Sequence, residues 1–200
     1  MGDKAMVFKM KDMYKQAMNQ ATEVLTKIGY TGGMVQTDDV VKYVGNESRN
    51  EINVFVADFA PLGKPIDECG ALTAVRKMPS ATEKGKIDIY LNDKYPTQRK
   101  RFSLVHELGH ILTKKNNFAE GRAFASAHMK FDVVSLDENS IEGNTALENE
   151  QIANVFALSI LVPKKEMLKY GSNESDVLCD VLGVTEDVVD TRFKLEQIVE

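Results

Sequence analysis

Two histidines and a glutamate lie together in the segment His106-Glu107-Leu108-Gly109-His110. On a helix that turns about 100° per residue, side chains four positions apart lie roughly 40° apart around the axis, so both imidazoles can reach one metal ion. Glu107 follows the first histidine and can reach a water molecule beside that ion, as a general base requires. The spacing therefore predicts a helical metal site, with zinc as the expected ion and a base next to it.

Chance is the alternative explanation for this motif. The chain has three histidines, and random placement would produce the spacing on the order of once in several hundred chains of this composition. The same helical wheel places four aliphatic residues on the side away from the histidines, namely Leu104, Leu108, Ile111 and Leu112. A solvated surface helix would not have one apolar and one chemical face, so we favour the metal site.

A catalytic zinc ion needs a third protein ligand, because it usually takes three and keeps a fourth position for water. His128 is the only other histidine. Glu148 and Glu150 precede an apolar helical segment and are the alternatives, although glutamates near a helix start also suit the positive end of the helix dipole. The residues alone leave this choice open. A set of two histidines and one carboxylate also suits manganese or iron.

Three segments of the chain carry a family resemblance, in residues 89–110, 150–163 and 182–193. The first joins a strand that ends in Leu-Asn to the histidine motif. The second reads Glu-Gln-Ile-Ala-Asn-Val-Phe-Ala and ends in Leu-Val-Pro, and the third runs from Leu-Gly-Val-Thr to Arg-Phe. Together they resemble the ImmA/IrrE family of zinc metallopeptidases, over residues 86–198.

The resemblance implies that Glu150 is the third ligand, as in gluzincin-like enzymes, and that Glu148 is a surface carboxylate or one that supports the ligands. His128 matches none of the family's motifs. The implied activity is that of a zinc-dependent endopeptidase in which Glu107 takes a proton from water and passes it to the leaving amine. Its implied partner is a regulatory protein, typically a helix-turn-helix repressor of a mobile element or stress response, which gives the chain an anti-repressor role.

Two further residues are weaker candidates for the site. His128 could stabilise the transition state, and Asn92 could shape the cleft, although a turn at the end of a strand explains Asn92 at least as well. Residues 114–144 make the interval before Glu150 longer than the family's usual one. We expect an insertion there, which is either a lid or docking loop or a solvated excursion.

The N-terminal half predicts two helices and two or three strands. Apolar positions with helical spacing cover residues 11–28, and a second helix is expected to begin at Thr37 or Asp38, either of which could cap it, and to end at Gly45-Asn46. Alternation of apolar residues predicts strands at 52–60 and 86–91, with a further strand near 70–76.

The C-terminal half is predicted to be helical. One helix runs from Thr97 through Ile111, another covers residues 145–161 before Pro163, and two short helices are separated at Gly183, the second capped by Thr185. We expect an α+β fold in which a small mixed sheet packs against a zincin-like helical core, with helices at both termini. The chain of 200 residues is expected to form one domain, with residues 164–200 as a small helical subdomain.

Composition restricts the classes of partner and the cellular location that we expect for this protein. The net charge is −5 and the sequence pI is about 5.4, without the basic cluster that nucleic acid or an anionic membrane would need. Cys69 and Cys179 lack the spacing of a metal or redox motif and are expected to be reduced. Since the sequence shows neither a signal-like start nor a stretch of about 18 apolar residues, we expect a cytoplasmic protein.

Two rival functions remain at this stage. A regulator could keep the same metal ligands and inactivate a repressor by association without cleavage. The helices around Gly183 could instead form a DNA-binding helix-turn-helix, but the second carries Glu186, Asp187, Asp190 and Glu196 against Arg192 and Lys194 alone. That helix is expected to dock onto the domain through Val188, Val189, Phe193 and Ile198.

Overall fold

The computed structural model describes residues 2–63, 68–113, 123–126 and 145–199. In chain order the helices and strands are α1 (Gly2–Lys27), α2 (Thr37–Ser48), β1 (Asn50–Ala57), β2 (Ala71–Lys77), β3 (Gly85–Asn92), α3 (Thr97–Thr113), β4 (Ala123–Ser126), α4 (Thr145–Leu161), α5 (Lys164–Tyr170), α6 (Ser175–Leu182) and α7 (Glu186–Val199). The elements form two compact units, a central unit of residues 36–130 and a terminal unit of residues 1–35 with 131–200.

The central unit contains a four-stranded sheet in the order β1-β3-β2-β4. β1 runs parallel to β3, while β2 is antiparallel to both β3 and β4. This confirms the prediction of an α+β fold with a small mixed sheet. β4 lies within residues 114–144, for which the sequence predicted no element, and the pairing with β2 defines it.

Alternation along the strands decides which side chains face the helices. Ile87 and Ile89 of β3 are buried, as are Ala71, Thr73 and Val75 of β2, and Thr73 lies opposite Ile89 in the ladder. Helix α3 packs against β2 and β3, and α2 packs against β1 and α3. Of these five buried residues, Thr73 is the one with a polar side chain.

Helix α3 is buried along most of its length. Every residue from Phe102 to Leu112 is buried, including the two histidines and the glutamate of the motif. The aliphatic face is the one expected from the helical wheel. The burial of the opposite, polar face adds a low-dielectric environment, in which electrostatic interactions are stronger than in water.

Helix α2 begins where it was predicted to begin but differs from its prediction in its N-cap and its C-terminal end. It begins at Thr37, but Gln36 is the N-cap and makes no side-chain capping hydrogen bond. It also passes Gly45-Asn46 and ends at Ser48, and its C-cap Arg49 has a left-handed backbone with φ of 57°. The glycine does not stop the helix, because its role is close approach: a Cβ at Gly45 would lie 2.9 Å from the carbonyl oxygen of Asn50.

The terminal unit is helical within the described residues, and α4 forms its centre. Residues 155–158, 160 and 161 of α4 are all apolar and fully buried, as expected of an interior helix rather than an amphipathic one. α1 packs against α4 through a stripe of residues at three- and four-residue spacing, and α7 packs against both. The stripe of α1 comprises Met10, Tyr14, Ala17, Ala21 and Val24.

The C-terminal segment contains one helix more than the sequence predicted. Pro163 ends the run of α4 as expected, yet it also acts as the N-cap of α5. Gly183 separates α6 from α7 in a left-handed conformation with φ of 60°, as predicted for a helix C-cap. Residues 164–200 as a separate subdomain, and residues 1–200 as one domain, remain predictions.

The docking face of α7 differs from the predicted one. Val188 and Val189 are buried, but Phe193 is half-buried, and the expected contributor Ile198 is half-buried too. The buried face of α7 also includes Arg192, which is 2% exposed and was not among the predicted docking residues. Its long aliphatic stem lets a cation occupy a buried position when an acid accompanies it.

The cysteines and the length of the helices bear on two predictions made for the whole chain. Cys69 and Cys179 are free thiols, the first buried and the second half-buried. Among the described helices, none combines the length and the apolar character that a bilayer crossing requires.

Candidate metal centre

Helix α3 brings the two histidines of the motif together. The ring centroids of His106 and His110 lie 4.6 Å apart, and the ring planes meet at 79°. Both side chains are buried, with relative exposures of 0% and 5%. One helical turn separates the two residues, so the local backbone alone accounts for their proximity.

Glu150 lies in the first turns of α4 and is half-buried. One ligand atom from each of His106, His110 and Glu150 can be chosen so that the three lie within 4.8 Å of one another. Two imidazole nitrogens and a carboxylate oxygen are donors that suit a divalent transition metal. The donor set thus fits the metal that the sequence predicted, while the identity of that metal is a separate question.

The side chain of Glu107 is anchored by a hydrogen bond from a residue of the sheet. Its side chain is 1% exposed, and Oε2 accepts a hydrogen bond of 2.6 Å from the hydroxyl of Thr73. Sequence reasoning missed Thr73. The available signal was a hydroxyl at an inward position of β2, between Ala71 and Val75, but threonine is common in strands and the pattern did not single it out.

Asn92 ends β3 and is fully buried. Its side-chain amide donates to the carbonyl oxygen of Cys69 at 2.9 Å, and its side-chain oxygen accepts from the backbone amide of Lys94 at 3.2 Å. These are contacts of a residue that turns the chain after a strand, the alternative explanation considered for it. A role in shaping the cleft stays a prediction.

The remaining predicted site residue lies outside the described part of the chain. His128 falls in residues 127–144, so its role in the transition state is a prediction, and so is a lid or docking loop in residues 114–144. Glu148 is half-buried on α4, two positions before Glu150, which makes it a natural comparison for the proposed ligand.

Comparison with known proteins identifies a family that this chain matches and a solved structure with a similar fold. A family model described as Peptidase_M78, the IrrE N-terminal-like domain, matches residues 72–194. A solved Mycobacterium tuberculosis transcriptional regulator has a similar fold, with a TM-score of 0.50 and 14% identity, over 94% of this chain and 51% of that one. The chain thus spans about half the length of that regulator. No curated protein matches.

Proposed function

The chain belongs to the Peptidase_M78 family, the group of IrrE N-terminal-like domains, and from this premise we propose that it is a zinc-dependent endopeptidase that acts on a regulatory protein. The family match confirms the ImmA/IrrE resemblance. It covers the histidine motif and Glu150 together. The activity, the ion and the substrate are our proposals.

One observation carries the proposal most directly, and it is the set of three ligand atoms that lie within 4.8 Å of one another. In this proposal His106, His110 and Glu150 hold the metal. Zinc is the ion we expect, because its catalytic sites use this kind of donor set and leave one position open. The carboxylate ligand makes the site gluzincin-like.

Glu107 is the general base of the proposed reaction. A bound zinc ion would polarise a water molecule and the carbonyl group of the scissile peptide. Glu107 accepts the proton of that water and then donates it to the nitrogen of the leaving amine. The burial of Glu107 supports this role, because water exclusion strengthens the interactions of the carboxylate with the reacting groups.

The proposed substrate is a helix-turn-helix repressor of a mobile element or a stress response. The support for it is the ImmA/IrrE resemblance, whose members act on such regulators. Cleavage would remove the repressor from its operator, which gives the chain an anti-repressor role in the cytoplasm.

A direct test incubates the zinc-loaded chain with the repressor encoded next to its gene and follows fragments by mass spectrometry. We expect cleavage by the wild type, none by Glu107→Gln and none after chelation, while Glu107→Gln retains its zinc. Cleavage by Glu107→Gln at the wild-type rate would contradict the role of the base. Metal analysis of protein purified without added metal identifies the native ion.

The alternative is a metal-binding regulator that inactivates the repressor by association. It predicts a zinc-dependent complex and no fragments with the wild type, so the same incubation distinguishes the two functions. Absence of both fragments and complex would overturn the proposed partner. The structure further weakens the argument for DNA binding. Arg192 is buried and its guanidinium pairs with Glu196 at 2.6 Å, so this cation is not available to contact a phosphate.

A further inference from the structure

We propose that Thr73 is a positioning residue that fixes the orientation of the Glu107 carboxylate. The inference rests on the proposed function, since it concerns the same base. Thr73 lies 34 positions from Glu107 in sequence, and no motif of the sequence includes it. The contact is a buried hydrogen bond of 2.6 Å from the hydroxyl to Oε2.

The backbone of Thr73 is held on both sides. β2 lies between β3 and β4, and Thr73 is paired with Ile89 on one neighbour and Phe124 on the other. A residue inside the ladder has little freedom to move, and a β-branched side chain has few rotamers. The hydroxyl is therefore a fixed point on the sheet from which a side chain of α3 can be oriented.

The carboxylate of Glu107 needs a fixed hydrogen-bond donor to define its orientation. The last torsion of a glutamate side chain is broad and roughly two-fold, so its plane is poorly defined by its own rotamer preferences. The hydrogen bond from Thr73 to Oε2 limits rotation about this torsion and so fixes the plane of the carboxylate. Because the donor is a neutral hydroxyl, it orients the carboxylate without cancelling its negative charge.

Kinetics with Thr73→Val and Thr73→Ser test the positioning role. Thr73→Val keeps the shape but removes the donor, so we expect kcat to fall roughly 10- to 100-fold, the range for a lost hydrogen bond to a charged group, with KM changed less than about twofold. Thr73→Ser should restore most of kcat, and zinc content should be unchanged throughout. Thr73→Ala serves in place of Thr73→Val if that variant does not fold.

Thr191→Val is the matched control. This threonine is also buried, but its hydroxyl donates to the backbone oxygen of Asp187 at 2.6 Å, so kcat should stay near the wild-type value. Equal losses in Thr73→Val and Thr191→Val would overturn the proposal, and so would a kcat for Thr73→Val within about twofold of wild type.

A second measurement needs no catalysis and separates this proposal from the proposed function. Thr73→Val should lower Tm in the wild-type background by about twice as much as in the Glu107→Gln background, because charge-assisted hydrogen bonds are roughly twice as strong as neutral ones. Equal shifts would show that Thr73 does not act through the carboxylate. If the wild type cleaves nothing while the shifts differ, the peptidase proposal fails and the pairing stands.

Discussion

Helices α3 and α7 each bury a charged side chain, yet they provide it with different partners. On α3, the carboxylate of Glu107 accepts a hydrogen bond from the neutral hydroxyl of Thr73. On α7, the guanidinium of Arg192 donates to Glu196 at 2.6 Å, and the other oxygen of that carboxylate lies 2.9 Å from the ammonium of Lys164.

The two arrangements differ in the charge of the groups that contact the carboxylate. Burial raises the pKa of Glu196, but hydrogen bonds and charges from Lys164 and Arg192 outweigh it and hold that pKa below its ordinary value. Burial in turn lowers the pKa of Arg192 more than Glu196 raises it. The α7 cluster places one carboxylate between two cations and links α5 to α7. In the α3 arrangement, the Glu107 carboxylate accepts a hydrogen bond from the neutral hydroxyl of Thr73, which suits the proposed role of Glu107 as a base.

The largest expected effect concerns metal affinity, because the proposal makes Glu150 a ligand and Glu148 a bystander. Glu150→Gln should weaken zinc binding by more than about 100-fold, since changes to residues outside the ligand set alone cost 10- to 100-fold. Glu148→Gln, a half-buried carboxylate on the same helix, is the matched control and should bind zinc normally. Zinc titration with a competing chelator measures both. Equal losses would contradict the assignment of Glu150.

A middle-sized effect is expected on stability. Glu196→Gln removes the charge that accompanies a buried guanidinium and should cost about 2 to 3 kcal/mol, or roughly 4 to 12 °C in Tm. Glu107→Gln should shift Tm less, because the amide oxygen can still accept from Thr73.

Thermal unfolding followed by circular dichroism compares the two glutamine variants. Glu51→Gln is the control, because the ion pair of Glu51 with Lys86 is long, at 3.9 Å, and more than half exposed on both sides. It should change stability by less than about 0.5 kcal/mol. A larger loss in Glu107→Gln than in Glu196→Gln would reverse the comparison between the two helices.

The smallest effect is a dependence on pH. A carboxyl whose folded pKa is depressed contributes stability above its unfolded pKa of about 4.3 and loses it as pH falls through the lower folded value. The Tm gap between wild type and Glu196→Gln should therefore be constant near neutral pH and shrink below about pH 4. Melting curves between neutral pH and about pH 3 measure it, and a gap that stays constant down to pH 3 would refute a stabilising role for the ionised Glu196.

The sequence by itself was most informative where a feature is local. His106, Glu107 and His110 lie within about one helical turn, so helical periodicity alone fixes which way their side chains point. The same local reasoning located the strands β1, β2 and β3, and placed α4 at residues 145–161. It failed at α2, where the close packing of Gly45 against Asn50 outweighed the ordinary preference of glycine for helix ends.

Tertiary structure decided which distant residues meet. The pairing of β2 between β3 and β4 carries Thr73 to Glu107, and the packing of α7 buries Arg192 beside Glu196. Neither follows from the sequence, because strand order and helix docking depend on the summed burial of many side chains rather than on the residues concerned. Local spacing thus predicted the kind of chemistry, whereas packing between distant segments determined which residue contacts the carboxylate of the proposed base.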